Sequence, residues 1–316
     1  MLKAFVVGNN RLIRLDAPAA PEALVDAVWI DLVKPTPEEI GVVEQVIGIE
    51  LPNIRETEEI EATSHYEVYP QGLQVNCSFL LHDEGRDFVI ANAVFLFTGH
   101  CLVSLSAHAI PSLQFLQRRE TNALGRVPDP LSTILALQEI KIEHLADMAE
   151  EAYLAIDRIS RRIFNRDDEV LEEIIGFLSR QDDLNGKIRL CLMDGQRDLN
   201  FLLRRGRLTH DHIQSANDTL EDIRTLLSHN AFLSERIDFL LDAALGFINI
   251  EQNKIIKIFS IAAVVFMPPT VVASIYGMNF HWFPELSWQW GYPFSLLLMV
   301  ISGVTPYLYF KRKGWL

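Results

Sequence analysis

Two long stretches near the C-terminus contain no charged residue, and they limit the chain more than any other feature. Ile258 to Ile275 is 18 residues without a charge, and Tyr292 to Phe310 is 19. Each is close to the roughly 20 residues a helix needs to cross about 30 Å of hydrocarbon. One such run could be a buried core helix. Two in succession, charged only at their outer ends, predict a membrane hairpin. Lys254 and Lys257 precede the first run, Lys311, Arg312 and Lys313 follow the second, and the connecting residues 277–291 hold no Lys or Arg. The positive-inside rule puts both ends of the hairpin in the cytoplasm and the loop outside. Trp282, Trp288, Trp290, Tyr292, Tyr307 and Tyr309 stand where interfacial aromatic belts form. Pro268 and Pro269 interrupt the first span. A diproline inside lipid needs neighbouring helices or water to satisfy the freed carbonyls, which predicts packing in an assembly or a wet path. A Pro-kinked anchor is the simpler alternative.

The remaining 250 residues read as cytosolic. The net charge of −14 divides into −17 over residues 1–250 and +3 over the rest. That excess of acid argues against a nucleic-acid partner and is compatible with divalent cations, which prefer carboxylate oxygens. Cys77, Cys101 and Cys191 are odd in number and widely spaced, as expected for reduced thiols, and the first 15 residues lack the apolar core of a signal peptide. Residues 1–130 mix strand-like segments (27–33, 73–81, 91–99) with a helix opened by Thr36-Pro37-Glu38-Glu39, which predicts an α/β domain. Residues 131–251 carry apolar positions at three- and four-residue spacing. They predict one helix over 131–164, a second over 170–203, and a third from near Ile213 to Met267 that leaves the cytosolic portion as the first span. The expected division is therefore an α/β domain (1–130), a helical bundle and stalk (131–251), a first span (252–276), an outer loop (277–291), a second span (292–311) and a cytosolic tail (312–316).

Common enzyme signatures are absent: the chain has no GxSxG, GxxxxGK[ST], HExxH or GxGxxG. His210-Asp211-His212 is a metal-like cluster, but histidines two apart diverge on a helix and the segment reads as a turn before the third helix. The acidic run Asp167-Asp168-Glu169 with Glu172-Glu173 reads as a solvated helix start. More informative is Tyr276-Gly277-Met278-Asn279-Phe280, where the first span meets the loop. Gly permits a positive-φ turn that exposes carbonyls, and Asn adds an uncharged amide oxygen. Repeated about an axis, these groups would make a neutral ring suited to Mg²⁺, which dehydrates reluctantly. A plain helix C-cap is the alternative.

The YGMN segment, the following Pro-Glu-Leu loop, the stretch GFINIEQNKIIKIFS and the ending PYLYFKRKGWL resemble the CorA magnesium transporter family. That resemblance is specific over roughly the last 75 residues. It implies a funnel-shaped homo-oligomer, a pentamer, in a bacterial inner membrane, with the first spans around one pore and Gly277, Met278 and Asn279 as the selectivity filter. By distance from that motif it implies a pore face of Asn253, Ile256, Phe259 or Ser260, Ala263, Met267, Thr270 and Ser274, positions that also fall three and four apart along one helix face. Transport is expected to be Mg²⁺ influx, extended to Co²⁺ and Ni²⁺, driven by the membrane potential and closed when intracellular Mg²⁺ bridges acidic residues between subunits. Asp83, Glu84, Asp218 and Asp222 are the expected ligands, and Glu285 in the loop is expected to attract cations. A zinc transporter of the same superfamily and a cytosolic sensor merely anchored by the hairpin are the competing readings.

Overall fold

The computed structural model describes residues 1–8, 11–15, 21–53, 66–70, 72–82, 88–118, 129–165, 171–278, 281 and 284–315. By contacts the chain separates into two units, Met1–Leu241 and Asp242–Leu316.

In the first unit, seven strands form one mixed sheet: β1 (Leu2–Gly8), β2 (Arg11–Arg14), β3 (Trp29–Val33), β4 (Tyr66–Tyr69), β5 (Gly72–His82), β6 (Phe88–Thr98) and β7 (Leu102–Ser106). Their spatial order is β2-β1-β3-β7-β6-β5-β4. Only the central β3–β7 pair is parallel, with Trp29 opposite Leu102 and Val33 opposite Ser106; the β5–β6 ladder is antiparallel from Gly72↔Thr98 to His82↔Phe88. A sheet covered on both sides sends successive side chains to opposite cores. Accordingly Val75, Cys77, Phe79, Phe95 and Phe97 join one cluster with Trp29 and Leu102, whereas Val94 and Leu96 join a second with Ile30, Leu32, Val103 and Leu105.

The two short helices α1 (Pro21–Leu24) and α2 (Pro37–Ile47) cover the second of these faces through Leu24 and Val43. The capping box expected at Thr36 is formed. Glu39 N donates to Thr36 Oγ1 and Thr36 N donates to Glu39 Oε2, with Pro37 in the first turn, and Gly48 closes the helix at φ 71°. On the other face lie α3 (Pro111–Arg118), α4 (Pro130–Asn165) and α5 (Leu171–Arg205), which supply Leu113, Ile134, Leu137 and Leu202 to the first core, with Ile110 just ahead of α3. Farther along, α4 and α5 pack with the start of α6 (His210–Tyr276) around Leu145, Ile188, Leu192, Leu220 and Ile223. Polar links tie these helices together. Asn185 and Asn230 exchange side-chain bonds with each other's backbone carbonyls at 3.0 and 2.8 Å, and Arg236 donates to Asp157 at 2.7 Å. The three thiols are all buried.

The sequence places a turn at His210-Asp211-His212, but these residues form the first turn of α6. His212 is a helix-start brace: its backbone N–H donates to Thr209 Oγ1, and its Nε2 stands 3.0 Å from Ser132 Oγ and 3.3 Å from Asp129 at the start of α4. No group of three His, Cys, Asp or Glu able to hold a metal occurs among the described residues.

The third helix, expected from near Ile213 into the first span, runs from His210 through Pro268 and Pro269 to Tyr276, 67 residues in all. In the second unit its last part packs antiparallel in sequence sense against α7 (Gly291–Arg312), which follows a 3-10 turn at Pro284–Ser287. Both helices are long and apolar enough to cross a membrane, and only 6% of each apolar window is buried by the protein itself.

Candidate ion pathway

Within the second unit, contact with α7 divides the end of α6 into two faces. Ile261 is buried, and Ala262, Val265, Pro268, Pro269, Val272 and Tyr276 are half-buried. These positions lie three and four apart. The residues expected to line a path are all exposed: Asn253, Ile256, Phe259, Ser260, Ala263, Met267, Thr270 and Ser274. Phe259, Met267 and Ile256 are 71, 64 and 61% exposed, against 7% for Ile261. At roughly 100° per residue, the two sets centre about 180° apart around the helix. The expected pathway face therefore points away from the one face that its own chain covers.

The polarity of that face falls toward its middle. Asn253 lies beside Lys254, which pairs with Glu251 at 3.7 Å. Ile256, Phe259, Ala263 and Met267 follow, and then Thr270 and Ser274 return to hydroxyls. Thr270 Oγ1 donates to Phe266 O at 2.8 Å, a turn below. Pro268 and Pro269 supply no N–H, so the carbonyls of Val264 and Val265 lose their usual helix partners just beneath it.

At the end of α6, Gly277 N donates to Ala273 O at 3.0 Å and Met278 N to Ile275 O at 3.2 Å, a tightening last turn. Gly277 does not use the positive-φ conformation expected from sequence; among the described glycines only Gly48 and Gly314 do. A Cβ built there would lie 3.2 Å from Ala273 O, the acceptor of its own N–H one turn back. Met278 is exposed. Asn279 lies outside the described residues, as do Asp83, Glu84 and the run 167–169; Glu285 falls in the 3-10 turn. Asp218 and Asp222 are exposed one turn apart on α6 in the first unit.

The residue types alone did not single out the covered stripe of α7, Gly291, Ser295, Met299, Ser302, Gly303, Pro306 and Phe310, along which Gly303 meets Pro269 and Val265 of α6. Its small residues at four-residue spacing were the available signal, since Gly and Ser let membrane helices approach closely. A buried polar cluster in the first unit also escaped notice. Lys141 and Gln138 on α4 face Asp194 and Asp198 on α5 and Tyr66, Cys77 and Ser78 on β4 and β5. Gln138 Nε2 and Tyr66 Oη donate to Asp198 at 3.0 and 3.1 Å, Ser78 N donates to Asp194 at 2.7 Å, and Lys141 Nζ lies 3.8 Å from Asp194.

Comparison with known proteins now bears on this geometry. A family model described as CorA-like Mg²⁺ transporter protein matches residues 26–312. The chain belongs to the CorA-like Mg²⁺ transporter family. Magnesium transport protein CorA of Escherichia coli (strain K12) is 42% identical over 318 residues, covering 100% of both chains. The protein of the same name from Salmonella typhimurium is 41% identical over 318 residues, and that from Haemophilus influenzae 39% over 317, each again covering both chains fully. These relatives are named as transport proteins, not enzymes. The CorA magnesium transporter from Methanocaldococcus jannaschii shares the fold, with a TM-score of 0.80 at 18% identity over 100% of this chain and 99% of that one. The cytoplasmic domain of ZntB from Vibrio parahaemolyticus is more distant, at TM-score 0.53 and 10% identity over 78% of this chain and 97% of that one. The CorA-like fold here thus comprises a soluble α/β portion, a long helix with an apolar end and one further C-terminal apolar helix, in a membrane protein.

Proposed function

We propose that this chain carries Mg²⁺ into the cell through a path lined by the Lys257-to-Asn279 segment of several copies, five in the arrangement the family resemblance implies. The observation that carries this reading is the division of α6: α7 covers one face, and the opposite face, with Ala263, Met267, Thr270 and Ser274, is left for other copies and for water. Residues 252–276 and 292–311 cross the inner membrane, residues 277–291 face the periplasm, and both termini are cytoplasmic. The basic residues on one side and the uncharged loop on the other support that orientation.

The chemistry follows from the types of side chain. A path without carboxylates does not strip the hydration shell of Mg²⁺, so the ion passes Gly277, Met278 and Asn279 with much of its water, held by amide and carbonyl oxygens. An inside-negative potential drives the flow by about 2.3 kcal/mol per charge per 100 mV, hence roughly 4.6 kcal/mol for a divalent ion. Ile256, Phe259 and Met267 form an apolar stretch that closes by excluding water. Internal Mg²⁺ bound by carboxylates of neighbouring copies, with Asp218 and Asp222 in this role together with Asp83 and Glu84, favours the closed arrangement. Co²⁺ and Ni²⁺ share the size and hydration that such a ring accepts.

Reconstitution in liposomes tests the reading. The full-length protein should pass Mg²⁺ inward under an inside-negative potential, and Asn279→Ala should lower that flux at least about tenfold. An inactive wild type, or a flux indifferent to Asn279→Ala, overturns the reading in favour of a membrane-anchored sensor. Uptake of Zn²⁺ that excess Mg²⁺ does not suppress would assign the cargo to zinc instead. Asp218→Asn with Asp222→Asn should leave the flux running at high internal Mg²⁺; unchanged inhibition removes both residues from the closing mechanism.

A further inference from the structure

We propose that Gly303 is a positioning residue for transport: it seats α7 against the Pro268-Pro269 step of α6 and thereby sets where the segment Thr270–Met278 ends. The inference rests on the reading of α6 as the wall of the ion path.

A helix holds its direction through its ladder of N–H···O=C bonds, and two consecutive prolines remove two adjacent rungs. Beyond that gap, α6 continues for Thr270–Tyr276 and then carries Gly277 and Met278. The ladder of α6 therefore does not fix the angle of this terminal piece; a neighbour must. The neighbour within the second unit is α7, and the contact is close. A Cβ built on Gly303 would lie 3.2 Å from Pro269 Cγ and 3.5 Å from Val265 O. Carbon atoms prefer about 3.5–4.0 Å, so even a methyl group would have to push the ring away. Proline cannot yield by rotating a flexible side chain, because its ring is closed onto the backbone. What a change of ring pucker does not absorb is passed to the helix axis.

The same contact has an electrostatic side. Val265 O lacks the N–H of Pro269 as a partner, and an unpaired carbonyl in hydrocarbon is costly. Gly303 brings the α7 backbone over this oxygen, so it is covered by protein instead of lipid. Its surroundings suit that approach. Ser302 turns its hydroxyl back onto Met299 O at 2.8 Å, and Ser295 does the same with Tyr292 O at 2.9 Å, so neither reaches toward α6. From Pro269 to Met278 is roughly 13 Å of helix, so a tilt of about 5° at the step moves the filter end by about 1 Å. For an ion demanding near-ideal octahedral geometry, with its own waters as intermediaries, such a shift is large.

The test uses the full-length protein in liposomes, with initial Mg²⁺ influx measured against external Mg²⁺ for wild type, Gly303→Ala, Gly303→Leu, Pro269→Ala and the double variant Gly303→Ala/Pro269→Ala. Gly303→Ala should lower the maximal influx severalfold and Gly303→Leu at least about tenfold, at unchanged half-saturating Mg²⁺. Removing the ring makes room for the methyl group, so the double variant should match Pro269→Ala alone within about twofold. The decisive comparison is this rescue, because a general packing defect would not be relieved by it, and it stands even if the leucine variant fails to fold. Independent, multiplying losses in the double variant would overturn the proposal, as would Gly303→Ala behaving as wild type. A wild type that conducts no Mg²⁺ sinks the transport reading itself, a result distinct from either.

Discussion

Lys141, Asp194 and Asp198 bring one cation and two carboxylates into the same buried cluster, where charge imbalance is expensive. Burial, followed by the nearby Asp194, pushes the Asp198 carboxyl up to about 7 despite Lys141 and the bonds it accepts. Burial alone would lower the Lys141 ammonium, but Asp194 and Asp198 hold it above its ordinary range. The sign of the consequence is fixed. From the ordinary value of 3.8 up to about 7, the folded state holds a proton on Asp198 that the unfolded chain has released. Stability from this group is therefore complete below pH 4, falls as pH rises toward 7, and levels off above, a change on the order of a few kcal/mol. Asp198→Asn should flatten the wild-type decline of the thermal midpoint between about pH 4 and pH 7 (the window between the two values), as followed by circular dichroism; an identical pH profile in both proteins would exclude Asp198 as the titrating group. Lys141→Met leaves two carboxylates without a counter-charge and should cost about 3–5 kcal/mol at pH 8, less at pH 6, where Asp198 takes up a proton. A uniform loss at both values would mean that Lys141 contributes packing only.

Among the helices, the reciprocal Asn185–Asn230 pair sets the register of α5 on α6, because a slip of one residue would leave both buried amides unpaired. Asn230→Ala strands the Asn185 amide and should lower stability by about 1–3 kcal/mol, seen as an earlier unfolding of the helical signal with Mg²⁺ absent; a change under about 0.5 kcal/mol would mean that water replaces the lost partner without cost. Much at this scale was legible in the residues. The Thr36-Pro37-Glu38-Glu39 box states its geometry in four letters, and the strands around Val75 and Phe95 state theirs by composition. Two features were not. The diproline reads as a bend or loosening within the span 252–276, but no local pattern shows that Gly303 of α7 sits against the step through which α6 runs to Tyr276. Likewise Gly277 permits a left-handed turn, whereas the structure does not place it at positive φ. At the diproline a non-local contact decides, and local pattern does not record it.

For the molecule as a whole, the hairpin was the most legible part, since a span is announced by the absence of charge over 18 or 19 residues. The proposed pathway face follows three- and four-residue spacing, and α7 packs on the side opposite to it; spacing offers no such guide to the proposed ligands of a closing ion, which depend on which copies meet. Cysteine substitution offers a further check. Cysteines placed at Ala263, Met267 or Thr270 should let a water-soluble thiol reagent slow Mg²⁺ flux, while those at Val265 or Val272, against α7, should not. Equal sensitivity on both faces would contradict the division of α6. That experiment is simplified by where the native thiols sit. Cys77, Cys101 and Cys191 are 0, 7 and 0% exposed, and burial raises the pKa of each, Cys101 to about 12 and Cys191 to about 11. Since the thiolate is the reactive form, the wild-type protein is already a silent background for labelling, and a single new sulfur anywhere along the spans can be read without first stripping out the old ones.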